Sequence, residues 1–232
     1  MQSELSPDLV DYYQQWLAYR RWFLRVPGVQ VAAAVAGQPV LSAAFGLADE
    51  STGTALTEQH LFRIASHSKT FTAVLALQQV AAGRLRLDDP VGTHLAELAD
   101  TPLARVTVGE LLSHGGGVIR DSTDGDFWQL LQDFPDRARL LAIAATESAA
   151  VLGRNERFKY SNIAYGLVGL ILEAVTGNSY HELVATAITG PLGLADTGPE
   201  LPLDRLAELA TGHSGSPTRP SASRSSRWAP VR

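Results

Sequence analysis

The chain has 232 residues, 45% of them hydrophobic, and a formal net charge of −5 at pH 7, enough for one domain, or one domain plus a subdomain, around a sizeable core. That charge gives no electrostatic reason to expect nucleic acid or an anionic membrane surface as a partner. Cysteine is absent, so disulfides and thiolate metal sites are excluded, and the six histidines (His60, His67, His94, His114, His181, His213) lack metal-ligand spacing.

In chain order, Met1 to Asp8 lacks the basic and apolar regions of a signal peptide. Ser6-Pro7 opens a helix, with Ser6 as N-cap and Pro7 at the first helical position. It runs to about Arg25, and Leu9, Tyr12, Tyr13, Trp16, Leu17 and Phe23 form an apolar stripe expected to pack on a core. After Pro27-Gly28, Val29 to Val35 reads as a buried strand. Gly37-Gln38 turns the chain, and Pro39 to Leu47 completes a hairpin. Asp49 to Gln59 is a loop, and Leu61 to Ile64 a short strand. Ser68 to Ala82 is a helix whose Phe71, Val74, Leu75 and Val80 face a core, with Gly83 just past its end.

Leu85 to Val91 is an extended link. Thr107 caps a short helix, Val108 to Ser113, and His114-Gly115-Gly116-Gly117 is a flexible turn. Phe127 to Leu131 and Arg137 to Ala145 look helical, and Arg154 to Lys159 is polar loop. Tyr160-Ser161-Asn162 precedes a strong helix, Ile163 to Val175, ended by Gly177-Asn178; another helix covers Tyr180 to Ile188. The longest strongly apolar run, Ile163 to Leu172, is too short to span a bilayer. A cytoplasmic location is the default expectation, with an export signal lost by truncation as the alternative. Residues 213–232 hold six Ser, four Arg and three Pro without hydrophobic periodicity, the composition of a disordered tail.

The chemistry centres on residues 61–82. Basic residues are 17 Arg against two Lys, Lys69 and Lys159, so lysine is not general surface filler here. Ser66 and Lys69 stand three apart and share a face if a helix starts near Ser66. A hydroxyl and an amine so placed can be nucleophile and base, because an amine in a low-dielectric pocket can take the hydroxyl proton. The plainer alternative is a helix-capping Ser66 beside a solvated Lys69. Tyr160-Ser161-Asn162 taken alone is better explained by a helix N-cap, Ser161 or Asn162, beside a core tyrosine.

Four segments in one order carry a resemblance: Leu61-Phe-Arg-Ile-Ala-Ser66-His-Ser-Lys69-Thr; Leu85-x-Leu-Asp-Asp-Pro-Val91; Val108-x-x-Leu111-Leu112-Ser113-His114-x-Gly-Gly; and Phe158-x-Tyr160-Ser161-Asn162-x-x-Tyr165-x-Leu-x-Gly169. Together they resemble the serine β-lactamase and penicillin-binding-protein superfamily, nearest to the class C β-lactamases and their esterase and D-aminopeptidase relatives. The resemblance covers about residues 5 to 213. It implies an α+β, β-lactamase/DD-peptidase-like fold over residues 5–212, with an antiparallel sheet flanked by helices and a helical subdomain at about 84–190. Catalysis would pass through an acyl-enzyme on a small-molecule ester, β-lactam or D-peptide, without a cofactor or metal.

By the same resemblance, Ser66 is the acylated nucleophile and Lys69 its base or proton relay. Tyr160 exchanges protons with Ser66 and the leaving group, while Asn162 binds Lys69 and the substrate amide. His114 and Gly115–Gly117 match a structural turn, His67 and Ser68 are wall residues, and Asp88 and Asp89 serve a turn. Without a visible export signal, an esterase is expected over a true β-lactamase.

A rival is weaker. His114-Gly115-Gly116-Gly117 resembles the oxyanion-hole motif of α/β-hydrolases and Gly212-His213-Ser214-Gly215-Ser216 their nucleophile elbow, but no Asp, Glu or His follows Ser214. The superfamily's third motif, Lys-Thr-Gly or a His-x-Gly variant on a late strand, has no counterpart, and neither do its later strands. The C-terminal strands are therefore expected to be missing, as in a truncated or frameshifted gene. The alternative functional expectation is a catalytically impaired fragment or a non-catalytic binding module of the same fold.

Overall fold

The computed structural model describes residues 6–122, 134–200 and 203–212. These form two compact units, residues 6–63 with 203–212, and residues 64–200. The expected helix at Phe127 to Leu131 and the tail at 213–232, His213 included, lie outside the described residues.

In the first unit, helix α1 spans Pro7–Phe23, with Pro7 at its start after an extended Ser6 whose hydroxyl makes no capping bond. It is followed by β1 (Gly28–Val35), β2 (Gln38–Asp49) and β3 (Thr54–Ala55), an antiparallel sheet in the order β1-β2-β3. The hairpin register pairs Val29 with Phe45 and Val31 with Ala43. Its turn is Ala36-Gly37, both at positive φ, one residue earlier than expected and of the kind whose twist matches a hairpin. Helix α1 lies against β1 and β2, where the Arg21 guanidinium donates to the Pro27 carbonyl at 3.2 Å.

Three local expectations are corrected in this unit. The aromatic stripe of α1 is not core, since none of the helix is buried and Tyr12 is 60% and Phe23 57% exposed. Strand β1 is exposed over its second half rather than buried. Leu61 to Ile64 is not a strand: Leu61 alone bridges Leu209 in parallel, and Leu61 N–H donates to Glu208 O. Periodicity reports which side chains share a face, not whether another element covers that face.

The second unit is helical: α2 (Ser68–Ala81), α3 (Val91–His94), α4 (Val108–Leu112), α5 (Arg137–Ala144), α6 (Asn162–Thr176) and α7 (Tyr180–Val184), the last continuing as a π-helical turn, Ala185–Thr189. Helix α6 is the axis of the unit and meets α2, α3, α4, α5 and α7. Its Ile163, Leu167, Val168, Ile171 and Leu172 are buried, an apolar surface too wide for a one-sided surface helix. They pack with Leu75 and Ala76 of α2, Val91, and Val108 and Leu111 of α4. Phe71 and Val80 join this core in part, whereas Val74 is 44% exposed, contrary to its expected place.

Helices α4 and α7 begin in reciprocal capping boxes, Thr107 with Glu110 and Ser179 with Glu182. Among the described residues no helix is long and apolar enough to cross a membrane.

Two extended segments on one side of α6 are laced together. Ile119 N–H donates to Ala149 O at 2.8 Å and Val151 N–H to Gly117 O at 2.9 Å. Asn155 N–H donates to Gly115 O at 2.7 Å, and Lys159 N–H to His114 O at 2.9 Å. The close approach depends on Gly117, which has φ of 67° and whose Cβ, if present, would overlap the Leu152 carbonyl oxygen. Gly177 has a similar φ of 72° at the end of α6, but with open space around it. Gly117→Ala is therefore expected to cost more than about 3 kcal/mol, and Gly177→Ala about 1–2 kcal/mol from backbone strain alone. Urea unfolding followed by circular dichroism measures both, and equal costs would contradict the close approach at Gly117.

Candidate active site

Ser66 lies in a short 3₁₀ turn, Ala65–His67, that runs directly into α2. Its hydroxyl caps no helix. Instead Ser66 Oγ is 2.6 Å from Tyr160 Oη. Lys69 is the second residue of α2, and the tight turn before it brings Lys69 Nζ within 3.3 Å of Ser66 Oγ. The ammonium is half-buried rather than free in solvent. It donates to Asn162 Oδ1 at 2.6 Å and sits 4.8 Å from the Tyr160 ring centre. The backbone before Ser66 is strained, with Ala65 at φ of 45°, a region costly for a residue with a Cβ.

Tyr160 and Asn162 are placed by the residue between them. Ser161 is fully buried and is the N-cap of α6. Its Oγ accepts from Ala164 N–H at 2.8 Å and donates to Ile119 O at 2.7 Å. Ser161 is extended, with φ of −142° and ψ of 125°, so its neighbours project to the opposite side. The capping explanation of this tripeptide therefore holds for Ser161, and the cap is what turns Tyr160 and Asn162 together toward Lys69 and Ser66.

Further residues join this cluster that the sequence did not assign to it. Asn162 Nδ2 donates to Asp121 Oδ1 at 2.6 Å, and Asp121 pairs with Arg120 at 3.1 Å. The Arg120 guanidinium lies 5.9 Å from the Tyr160 ring centre. His114, expected only as part of a flexible turn, packs its ring against Tyr160 at 4.7 Å, Tyr165 at 5.1 Å and Phe158 at 5.4 Å. The available signals were thin: a histidine and two glycines matching a family turn, and an Arg-Asp pair in a polar stretch. His67 and Ser68 are exposed. Asp88 pairs with Arg86, and Asp89 accepts from Arg86 N–H and bonds His94, so both belong to a turn. Among the described residues no cluster of His, Asp or Glu has the makings of a metal site.

The site favours anionic oxygen. Burial pushes the Tyr160 phenol up, but its interactions with Lys69 and Ser66 and the charges of Lys69 and Arg120 outweigh this and hold it below the ordinary tyrosine value. Burial, and then the Lys69 charge, push His114 below the ordinary histidine value. Neutral His114 is what the hydrogen bonding requires, since its Nδ1 accepts from Ser161 N–H at 3.2 Å. Behind His114, buried Glu110 takes Arg154 at 2.8 Å, Asn155 at 2.6 Å and Thr107 N–H at 2.9 Å. A hydroxyl beside an ammonium and a tyrosine with strengthened acidity can pass a proton and attack an electrophilic carbonyl.

Comparison with known proteins places the chain among relatives of one family. A family model described as Beta-lactamase matches residues 15–232. The chain is 33% identical over 205 residues to "Penicillin-binding protein 4" of Amycolatopsis lactamdurans, covering 83% of this chain and 52% of that protein. It is 31% identical over 210 residues to "Esterase EstB" of Burkholderia gladioli, covering 84% and 52%. The solved D-alanine carboxypeptidase AmpC of Burkholderia cenocepacia superposes with a TM-score of 0.76 at 28% identity, over 90% of this chain and 55% of that one. The chain thus spans about half the length of the curated relatives it matches.

Two titrations follow from the site. Tyr160 is expected to ionise below the ordinary value of about 10, and Lys69→Met to move its midpoint upward; tyrosinate absorbance, taken as the difference from Tyr160→Phe, measures both. For His114 the folded state disfavours the proton relative to the unfolded chain. Its contribution to stability is complete above about pH 6.5 and is lost as pH falls further. Chemical denaturation between about pH 7 and pH 5 should therefore show a shallower acid loss in His114→Gln than in the parent, and parallel slopes would contradict it.

Proposed function

The chain belongs to the beta-lactamase family, and on that premise we propose that it is a serine hydrolase that forms an acyl-enzyme at Ser66 on an ester or amide substrate. The single observation that carries this is the hydrogen-bonded group Ser66, Lys69, Tyr160 and Asn162, with Ser66 Oγ 2.6 Å from Tyr160 Oη and Lys69 Nζ 2.6 Å from Asn162 Oδ1. Such geometry favours catalysis over a non-catalytic binding module, which has no need of a nucleophile poised against a phenol and an ammonium.

The steps follow from the contacts. Tyr160, its phenolate favoured by Lys69 and Arg120, takes the Ser66 proton as Oγ attacks the substrate carbonyl carbon. Lys69 stabilises the charge passing between Ser66 and Tyr160 and is itself held by Asn162. The tetrahedral oxyanion takes a hydrogen bond from the Ser66 backbone N–H, the donor that the family resemblance implies. Tyr160 then returns its proton to the leaving oxygen or nitrogen as the bond to carbon breaks. Water attacks the acyl-serine with the same groups in reverse roles.

The resemblance implies a second oxyanion donor from a late strand, and no β-strand follows Tyr160 among the described residues. Substrates are small esters, β-lactams or D-peptides, with simple esters favoured because they need the least leaving-group assistance.

A fluorophosphonate probe, or a penicillin-type probe, is expected to label Ser66 in the purified protein, read by peptide mass spectrometry. Ser66→Ala should be unlabelled, and Tyr160→Phe should acylate about 10²–10⁴ times more slowly. Equal labelling of the parent and Ser66→Ala, or none in the parent, would overturn the proposal.

A further inference from the structure

Around the nucleophile, hydrogen bonds and charge contacts run through six side chains. Ser66 meets Tyr160 and Lys69, Lys69 donates to Asn162 Oδ1, and Asn162 Nδ2 donates to Asp121 Oδ1, the last two bonds both at 2.6 Å. The other Asp121 oxygen is 3.1 Å from Arg120 Nε, and the Arg120 guanidinium returns to the face of Tyr160. The Asp121 side chain is 14% exposed and that of Arg120 is 66% exposed.

We propose that Asp121 is a positioning residue for acylation: by accepting from Asn162 Nδ2 it fixes the Asn162 amide with its oxygen toward Lys69, and so fixes the ammonium beside Ser66. This rests on the reading of Ser66 as the acylated nucleophile.

An amide is almost symmetric in shape but not in bonding, with an acceptor oxygen at one end and two donor hydrogens at the other. Turned by half a rotation, Asn162 would present donors to the donor-only ammonium of Lys69. A carboxylate can only accept, so with Asp121 on one side and Lys69 on the other a single orientation satisfies both neighbours. The Nδ2–H···O⁻ bond is charge-assisted and short, which strengthens the preference. Arg120 in turn holds the second carboxylate oxygen, so Asp121 is not free to rotate away.

Position 121 also explains why the tripeptide at 160–162 is insufficient by itself. Ser161 sets the direction of the Asn162 side chain, but the rotation of its amide group about the last bond is left open. Asn162 N–H bonds the Arg120 carbonyl at 2.7 Å, which brings residues 120 and 121 alongside the amide and closes that remaining freedom.

The test compares Asp121→Ala and Asp121→Asn with the parent for acylation of Ser66 by a chromogenic ester and for the side-chain amide signals of ¹⁵N-labelled protein. In the parent, one Asn162 Nδ2 proton is expected downfield, absent from Asn162→Ala. Asp121→Ala should lose that downfield shift and acylate about ten- to a hundredfold more slowly, with KM within about threefold. Asp121→Asn, near-isosteric and still offering an acceptor, should keep the rate within about tenfold of the parent. A parental rate in Asp121→Ala would overturn the inference, and so would a loss beyond about tenfold in Asp121→Asn; the second criterion stands alone if Asp121→Ala does not fold. Should the parent fail to acylate Ser66, the functional reading falls first. The amide signal then decides the contact by itself: lost in Asp121→Ala it upholds the Asp121–Asn162 bond, and absent from the parent it overturns it.

Discussion

The buried Ser161 hydroxyl joins the start of α6 to the extended segment at 119–121, accepting from Ala164 N–H and donating to Ile119 O. Neither bond touches Ser66, yet the site depends on both. With Ser161 turned inward, backbone alternation sends Tyr160 and Asn162 outward on one side. The packing of α6 on α2 then decides how far they stand from Ser66 and Lys69. Those separations are 2.6 to 3.3 Å, so a slip of about one ångström between the helices would leave no direct bond. Leu167 and Ile171 of α6 and Leu75 of α2, all fully buried, resist that slip, because a close-packed core accommodates displacement poorly.

Around this joint the chain accepts local cost. Ala65, His114 and Asn155 all adopt positive φ without being glycine. Each lies where the backbone must turn sharply to present something: Ser66 after Ala65, the ring of His114, and the loop that Glu110 gathers through Asn155 and Arg154. Strain of this kind persists where surrounding contacts over-determine the conformation. Around His114 and Asn155, Glu110 supplies them. Burial pushes its carboxyl up, but Arg154, the Thr107 N–H and Asn155 outweigh burial and keep it ionised. The glycine turn is fixed through the Glu110 carbonyl as well, which accepts from Gly115 N–H and Gly116 N–H. The turn is therefore held firmly, and His114 becomes a wall for the tyrosine.

The electrostatic design is one of alternation. Cationic Lys69 and Arg120 flank Tyr160, and the anionic Asp121 lies next to Arg120 and one amide away from Lys69. His114, neutral as its hydrogen bond demands, adds bulk without adding a third positive charge. The field at Tyr160 thus favours the phenolate, while the surrounding charges largely offset one another.

Local chemistry made part of this legible from sequence. Thr107 and Glu110 at the start of α4, the apolar density of α6, Gly177 after it, and the three-residue spacing of Ser66 and Lys69 are short-range patterns, and short-range sterics and hydrogen bonds decide them. The relation of Ser66 to Tyr160 became visible only through a family resemblance. Other features were not legible in either way. The α1 aromatics have helical period yet are exposed, Val74 lies outside the core although the spacing placed it inside, and Leu61 forms a lone bridge rather than a strand. The acidic partner of Asn162 lies 41 residues away, and Tyr160 lies 94 residues from Ser66. Sequence by itself determined most of the helices, the Thr107 cap and the residue types that can do acyl chemistry, because those depend on neighbours along the chain. Tertiary structure alone decided which faces are covered, which way the Asn162 amide points, and that Asp121, Arg120 and His114 belong to the site, because distances between remote residues are set by how helices pack.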